Sequence, residues 1–419
     1  MQKIKKIIRY KFKEKNTIGN EELKAALRVL KSGKLSGYVA ASDNTFFGGQ
    51  EVKKFESICK KYFKVKHAIA VNSWTSGLIA AVGALNIEPG DEIITTPWTM
   101  CATATAIVHW NCIPVFVDIE KDTFNIDPEK IEKKITKRTK AIIAVDIFGH
   151  PCNFDRIKKI ASKYKIKIIL DSAHAIGSLY KGKKTGTYSD IGGYSFNYHK
   201  HINTGEGGVL VTNNDNYALR MRLIRNHGEA IVSGFKVKKI NNIVGYNFRL
   251  GEIESAIGSE QMKKLDKILL KRQKQANHLI SGLKNFEGLS MPKIMKNSTH
   301  SFYIIPMVLN LKNIKREKII NKLNQLGVQG LSEGYANLHM LPMFQKKIAY
   351  GSKGFPWNLR KDINKKISYK EGICPVAEDL HKKKLISFEV CLFNLKKLDI
   401  ILILRAFKAV WKYYGLKFN

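Results

Sequence analysis

The sequence predicts an α/β protein, with a large domain built on a mostly parallel seven-stranded sheet between helices and a smaller C-terminal α+β domain. Three observations carry this. From about residue 50 to 230, short and nearly all-apolar runs alternate with segments whose apolar residues recur every three or four positions, the pattern of buried strands joined by helices. A long helical pattern, Glu252 to Leu283, then leaves that region. Beyond it, His300 to Leu309 and Arg316 to Leu326 read as a strand and a helix, and Leu398 to Tyr414 closes the chain as an amphipathic helix.

Taken in order, the first forty residues hold a helix, Glu21 to Lys31, stopped by Gly33, and residues 1–45 are expected to pack on the small domain. The large domain, residues 46–285, carries candidate strands His67 to Val71, Glu92 to Thr96, Pro114 to Asp118, Ala141 to Ile147, Lys167 to Asp171, Gly192 to Phe196 and Gly207 to Thr212. Helical patterns such as Gln50 to Phe63 and Phe154 to Tyr164 lie between them. The small domain occupies residues 286–419. In a sheet of this kind ligands collect at the carboxyl ends of the strands.

With 419 residues and 44% hydrophobic content, the chain can bury a large core. It has no apolar run of about eighteen residues, and its basic start, Met1 to Lys15, lacks the apolar stretch and cleavage site of a signal peptide. A cytoplasmic protein without a membrane role is expected. Six cysteines without metal-binding spacing fit reduced thiols and no metal. The formal charge of +37 raises nucleic acid as a partner, yet the lysines are spread thinly and no zinc-finger, helix-turn-helix or RRM-type pattern accompanies them. The reading is a lysine-biased surface that binds no nucleic acid and attracts anionic substrates modestly.

Three strand ends carry chemistry. Strand His67 to Val71 runs through Asn72 into Ser73-Trp74-Thr75-Ser76-Gly77 and an apolar helix from Leu78. Hydroxyl side chains and unpaired amides at a helix start cradle phosphate, and they also serve as ordinary N-caps. Strand Lys167 to Leu170 ends in Asp171-Ser172-Ala173-His174. A carboxylate there is costly to bury unless it meets a cation, and a protonated pyridine nitrogen would serve. Ser195 and Lys200 follow in SFNYHKHINTGEGG, a lysine in a glycine-rich loop between strands. Phosphate cradle, aspartate and lysine are the parts of a pyridoxal 5'-phosphate site. The lysine forms the Schiff base and the aspartate keeps the ring nitrogen protonated.

The chain resembles the sugar aminotransferases of the DegT/DnrJ/StrS type, pyridoxal phosphate enzymes of fold type I, over nearly its whole length. The resemblance rests on Ser32-Gly33, Pro97-Trp98-Thr99 with Ala102-Thr103-Ala104, Phe148-Gly149-His150-Pro151, Asp171-Ser172-Ala173-His174 and SFNYHKHINTGEGG. It continues through Asn226-His227-Gly228, Gly245 to Leu250 and Cys374-Pro375-Val376-Ala377-Glu378. It implies that Lys200 carries the cofactor, Asp171 pairs with its ring nitrogen and His174 lies near its phenolic oxygen. Ser195, with Ser73, Thr75 and Ser76, would bind the phosphate, and Asn247 would reach the phosphate of a neighbouring subunit in a homodimer with shared sites. Two departures stand out. Trp74 replaces the usual glycine of the cradle and must point away from the phosphate, and the ring-covering position falls at Met100, with Trp98 two residues earlier; either could cover the ring.

The implied reaction moves an amino group, with L-glutamate as the family's donor, to a keto-sugar, in most relatives nucleotide-linked, as in surface polysaccharide or amino-sugar biosynthesis. A relative that dehydrates nucleotide sugars carries histidine in place of the lysine; counting back five residues from Gly205 gives Lys200, with His199 and His201 out of register. A non-catalytic regulator or nucleic-acid binder on this fold would need none of these residues. His227 and Glu206 fit either support of the site or a purely structural role.

Overall fold

The computed structural model describes residues 5–360, 362 and 367–418; residues 1–4 of the N-terminal segment and 361, 363–366 and 419 of the C-terminal one lie outside these. Its strands are β1 (His67–Val71), β2 (Glu92–Thr95), β3 (Ile113–Phe116), β4 (Thr139–Val145), β5 (Lys167–Asp171), β6 (Leu179–Tyr180), β7 (Lys183–Lys184), β8 (Ile191–Ser195) and β9 (Gly208–Thr212). β6 and β7 form a separate hairpin, and the other seven make one sheet in the order β1-β9-β8-β5-β4-β2-β3. Only β9 runs against its neighbours, β1 and β8; all other pairs in this sheet are parallel. The carboxyl ends of six strands and the start of β9 therefore meet at one edge.

Strand alternation sends side chains to both faces. Ile69 and Val71 of β1 face one way and Ala68 and Ala70 the other, and all four are fully enclosed. The first helices are, in chain order, α1 (Asn20–Ser32), α2 (Gln50–Phe63), α3 (Trp74–Ala84), α4 (Ala102–His109), α5 (Pro128–Ile131), α6 (Phe154–Tyr164), α7 (Asp215–Arg225), α8 (Glu252–Leu283) and α9 (Arg316–Gln325). α3, α4 and α7 cover the face of Ile69 and Val71, and α2 and α6 cover the opposite one. α3 starts four residues earlier than its apolar run because the Ser73 hydroxyl accepts from the Ser76 amide and caps it.

At 32 residues α8 is roughly 48 Å long from the helical rise. Toward its start it buries Met262, Leu265 and Leu269 against the large sheet, and toward its end Ala276, Leu279 and Leu283 under a second one. That second sheet is antiparallel, of β10 (Leu289–Ser290), β11 (Ile305–Leu309), β12 (Leu331–Ser332) and β13 (Leu385–Phe388), in the order β10-β11-β13-β12. α9 and the terminal helix Lys397–Tyr413 pack in the same core. Among the described residues no helix is long and apolar enough to cross a membrane, and no cluster of His, Cys, Asp and Glu could hold a metal ion. All six cysteines are free thiols.

Three details differ from the sequence expectations. The strand expected from His300 begins only at Ile305, because Phe302 adopts a left-handed φ of 54° and the amides of Ser301 and Tyr303 bond instead to the carbonyls of Gly149 and Phe148. The N-terminal segment does not pack as one piece on the small sheet. Ile8 and Phe12 enter that sheet's core, whereas α1 lays Ala25 and Val29 on Ala256 of α8. Residues around Leu338, Phe344, Trp357 and Tyr369 cover Phe116 of β3, so part of the C-terminal region shields the edge of the large sheet.

Under the amino-terminal half of α2, the buried Arg225 guanidinium donates to Glu56 Oε1 at 2.7 Å and to the Ala70 carbonyl at 2.9 Å. Glu56→Ala leaves that cation enclosed without its counter-ion, a loss that costs about 3–5 kcal/mol. A urea titration of the apo-protein is expected to show a midpoint lowered accordingly.

Candidate active site

Lys200 sits on the loop from β8 to β9, whose two ends are tied together. The Phe196 amide bonds to the Gly207 carbonyl, the Thr204 amide to the Phe196 carbonyl at 3.0 Å, and Asn197 Nδ2 to Glu206 at 2.8 Å. Glu206 is thus a loop tie. The loop's outer side is held by Lys15 of the N-terminal arm, whose ammonium donates to the carbonyls of Tyr198 and of Lys200 itself. Lys200 is buried, and its Nζ lies 4.3 Å over the ring of Tyr303. Burial lowers its pKa to about 7, with the charge of Asp171 opposing the shift and that of Lys15 adding to it. Lys15 is itself lowered to about 8 by burial. Lys200 therefore holds a substantial fraction of unprotonated amine at neutral pH, which is what a nucleophile and proton carrier needs.

Asp171 ends β5 and is buried. Its Oδ1 accepts from Trp74 Nε1 at 2.7 Å and from the Ala173 amide at 3.3 Å, and its Oδ2 accepts from the Thr103 hydroxyl at 2.8 Å. Burial raises its pKa, and these three donors oppose the rise. The indole and the amide can only donate, so Oδ1 is an acceptor and the site is built for a carboxylate.

His174 is buried in a stack of rings. Tyr303 lies parallel at 4.1 Å and Tyr335 at 5.8 Å, and the Tyr335 hydroxyl is 3.1 Å from His174 Nε2. Burial, with the Lys200 charge, keeps the imidazole neutral, and its Nδ1 has no protein partner although it is enclosed. Ser195 is buried at the end of β8, and its hydroxyl accepts from the Asn197 amide at 3.3 Å. At the head of α3, Ser73 Oγ and Ser76 Oγ lie 2.9 Å apart, and Thr75 is exposed.

Two of the sequence candidates point differently. Trp98 is fully buried among Phe124 and Phe148, and its indole donates to the Tyr335 carbonyl. Met100, two residues on, is 52% exposed. Asn247 is exposed; its carbonyl accepts from Asn72 Nδ2 at 3.4 Å, beside the head of α3, and its Oδ1 accepts from Arg249 Nε at 2.8 Å. His227 takes a left-handed turn, and its amide bonds to the Tyr246 carbonyl.

Tyr303, Tyr335 and Lys15 were not legible as site residues, since each arrives from a segment far away in sequence. Thr103 lies inside the Ala102-Thr103-Ala104 motif, and Trp74 was marked only as a departure.

A helix start rich in amides and hydroxyls, a carboxylate made for a cation, a buried amine of lowered pKa and an orphaned imidazole nitrogen together fit pyridoxal 5'-phosphate. This α/β fold with that donor set defines a pyridoxal phosphate-dependent enzyme. Residues 18–380 match the DegT/DnrJ/EryC1/StrS aminotransferase family, and the chain belongs to it. Among curated relatives, the spore coat polysaccharide biosynthesis protein SpsC of Bacillus subtilis is 31% identical over 347 residues, 81% of this chain and 86% of that protein. GDP-perosamine synthase of Caulobacter vibrioides is 34% identical over 298 residues, 71% of this chain and 79% of that one. The crystal structure of an aminotransferase from Psychrobacter cryohalolentis superposes with a TM-score of 0.81 at 28% identity, covering 97% of this chain and 100% of that one.

Lys15→Met removes a positive charge facing Lys200. The pH midpoint for borohydride capture of an aldehyde on Lys200 of the apo-protein, expected near 7 in the unsubstituted chain, should therefore move upward. Peptide mass spectrometry at Lys200 across pH reads this directly.

Proposed function

We propose that the protein transfers an amino group from L-glutamate to the keto group of a nucleotide-linked sugar, in the cytoplasm, on a route to amino sugars or surface polysaccharide. The observation that carries the reading is the buried amine of Lys200, lowered to about pKa 7, at the same sheet edge as the buried carboxylate of Asp171 and the head of α3. The names of the relatives above support the sugar as acceptor. A lysine at position 200, rather than a histidine, favours amination over dehydration.

Pyridoxal phosphate, when bound, supplies an electron sink that makes a C–H bond next to nitrogen acidic. The residues that would hold it are Ser73, Thr75, Ser76 and Ser195 at the phosphate, Asp171 at the ring nitrogen, His174 at the phenolic oxygen and Met100 over the ring. Lys200 anchors it and then works as the base: its free Nζ takes a proton from the donor's α-carbon and, in the second half-reaction, returns one to the carbon of the acceptor. Tyr303 and the buried His174 keep water from that amine on one side.

We further propose a chain organised as residues 1–45, 46–285 and 286–419, acting as a homodimer with shared sites. α1 exposes Leu23, Leu27 and Leu30 at helical spacing, an apolar stripe suited to a second copy, and Asn247 is exposed, as a residue serving a neighbour's phosphate cradle has to be.

Two experiments test this. Purified protein given glutamate and a panel of nucleotide-linked 3-keto and 4-keto sugars is expected to yield an amino sugar by mass, and Lys200→Ala to yield none and to lose the visible absorbance of lysine-bound cofactor; full turnover by Lys200→Ala would sink the assignment. Co-expressed Lys200→Ala and Asn247→Ala chains, each inactive alone, are expected to recover activity, because one site of the mixed dimer keeps both residues. No recovery would place Asn247 in its own subunit's site or outside the mechanism.

A further inference from the structure

We infer that Trp74 is a positioning residue for Asp171, its ring lying over β8 to fix the carboxylate that faces the cofactor ring. The inference rests on the reading of Asp171 as the partner of the ring nitrogen.

Trp74 is the first residue of α3, just past the end of β1, and Asp171 ends β5. In the sheet β9 and β8 lie between those strands; the backbone of Trp74 stands over β9, where α3 begins, and its ring lies over β8, next to β5. The indole lies on the face covered by α3, and the chain is bare where it passes. A Cβ on Gly193 of β8 would stand 2.1 Å from Trp74 Cζ3, one on Gly77 would stand 2.7 Å from Trp74 Cε3, and one on Gly208 of β9 would stand 2.8 Å from the Trp74 amide nitrogen. None of these three glycines has a positive φ, so backbone conformation does not call for them; space does. Gly193 is also the residue paired with Asp171 in the β5–β8 register, which puts the ring beside the carboxylate it serves.

The result is a nearly buried indole whose N–H ends 2.7 Å from Asp171 Oδ1, while Thr103 holds Oδ2 at 2.8 Å. Each oxygen is thus held by a side chain from a helix on that face, Trp74 of α3 and Thr103 of α4. Because the indole nitrogen can only donate, it orients Oδ1 and favours the ionised form against the burial that raises the pKa of Asp171. Without that donor the acid protonates more readily, and a neutral acid no longer attracts a protonated ring nitrogen. A large residue at the head of the phosphate cradle therefore serves the carboxylate at the far side of the cofactor.

The test uses Trp74→Phe, which keeps an aromatic ring in the slot and removes the N–H. Titration of the apo-protein with pyridoxal phosphate, followed by visible absorbance from pH 5.5 to about 8.5, a span around the neutral range, reads affinity without turnover. Trp74→Phe is expected to bind roughly tenfold more weakly, within the range for a hydrogen bond to a charged group. Its affinity should also fall away at a higher pH on the acid side than that of the unsubstituted chain, since the folded pKa of Asp171 rises. In an Asp171→Asn background the same change should add nothing. Equal affinity and an equal acid limb in Trp74→Phe, whatever its melting temperature, would reduce Trp74 to packing, and so would an effect that persists in the Asp171→Asn background. If Trp74→Phe does not fold, Gly77→Ala, favourable in a helix interior, pushes the ring from its slot and should give the same weakening and pH shift; unchanged binding there overturns the proposal. An unsubstituted chain that fails to bind pyridoxal phosphate, or an Asp171→Asn chain that binds it equally well, would instead break the underlying assignment of the site.

Discussion

A primary amine held out of water at the carboxyl edge of an apolar sheet is the constraint on which the rest of this structure depends. Removing an ammonium from water is costly, and the protein meets the cost by letting Lys200 give up its proton near neutrality while Asp171, also buried, supplies the opposing charge. Neither group would sit there for stability alone. The closed loop around Lys200, the donors on Asp171 and the aromatic stack over His174 all serve to keep these groups in place and dry.

That enclosure is assembled from parts of the chain that share no local pattern. β8 and β5 bring the lysine and the aspartate; the region leading into β11 brings Tyr303, the segment after β12 brings Tyr335, and the N-terminal arm brings Lys15. α8 makes this possible, since one rigid helix enters the cores of both sheets and sets their separation. The bend at Phe302 has the same effect at short range: by bonding residues 301 and 303 to the turn at Phe148 and Gly149, it carries Tyr303 to the lysine instead of continuing a strand.

Glycine in β8 and β9 has a comparable role between strands. A sheet interior ordinarily gains from side chains, yet Gly193 and Gly208 leave a channel over which Trp74 lies. Sequence reading saw a tryptophan in place of a glycine and concluded only that it had to avoid the phosphate. The packing shows where the ring goes and why the neighbouring strands leave room for it.

Much was legible from the residues. Short, nearly all-apolar runs located the seven main strands to within a few residues and the 3.6-residue period located α2, α6 and α8 to the residue, because segments enclosed on both sides or along one face must carry those apolar patterns. The same strand ends marked Lys200, Asp171, Ser195 and the head of α3, because loops at a sheet's carboxyl edge expose few groups and those present were chemically matched. The two-residue strands β10 and β12 carried no period to read, and the division of the N-terminal segment between α8 and the small sheet depended on which apolar face found a partner. What the sequence determined by itself was the order of the elements and which chemically matched groups end the strands at one edge of the sheet, both of which follow from local pattern and side-chain chemistry. Only the tertiary structure decided that Trp98 is enclosed while Met100 is open, that Lys15 and Tyr303 close on Lys200, and that the Trp74 indole bonds Asp171, because burial and distance between residues remote in the chain exist only once it is folded.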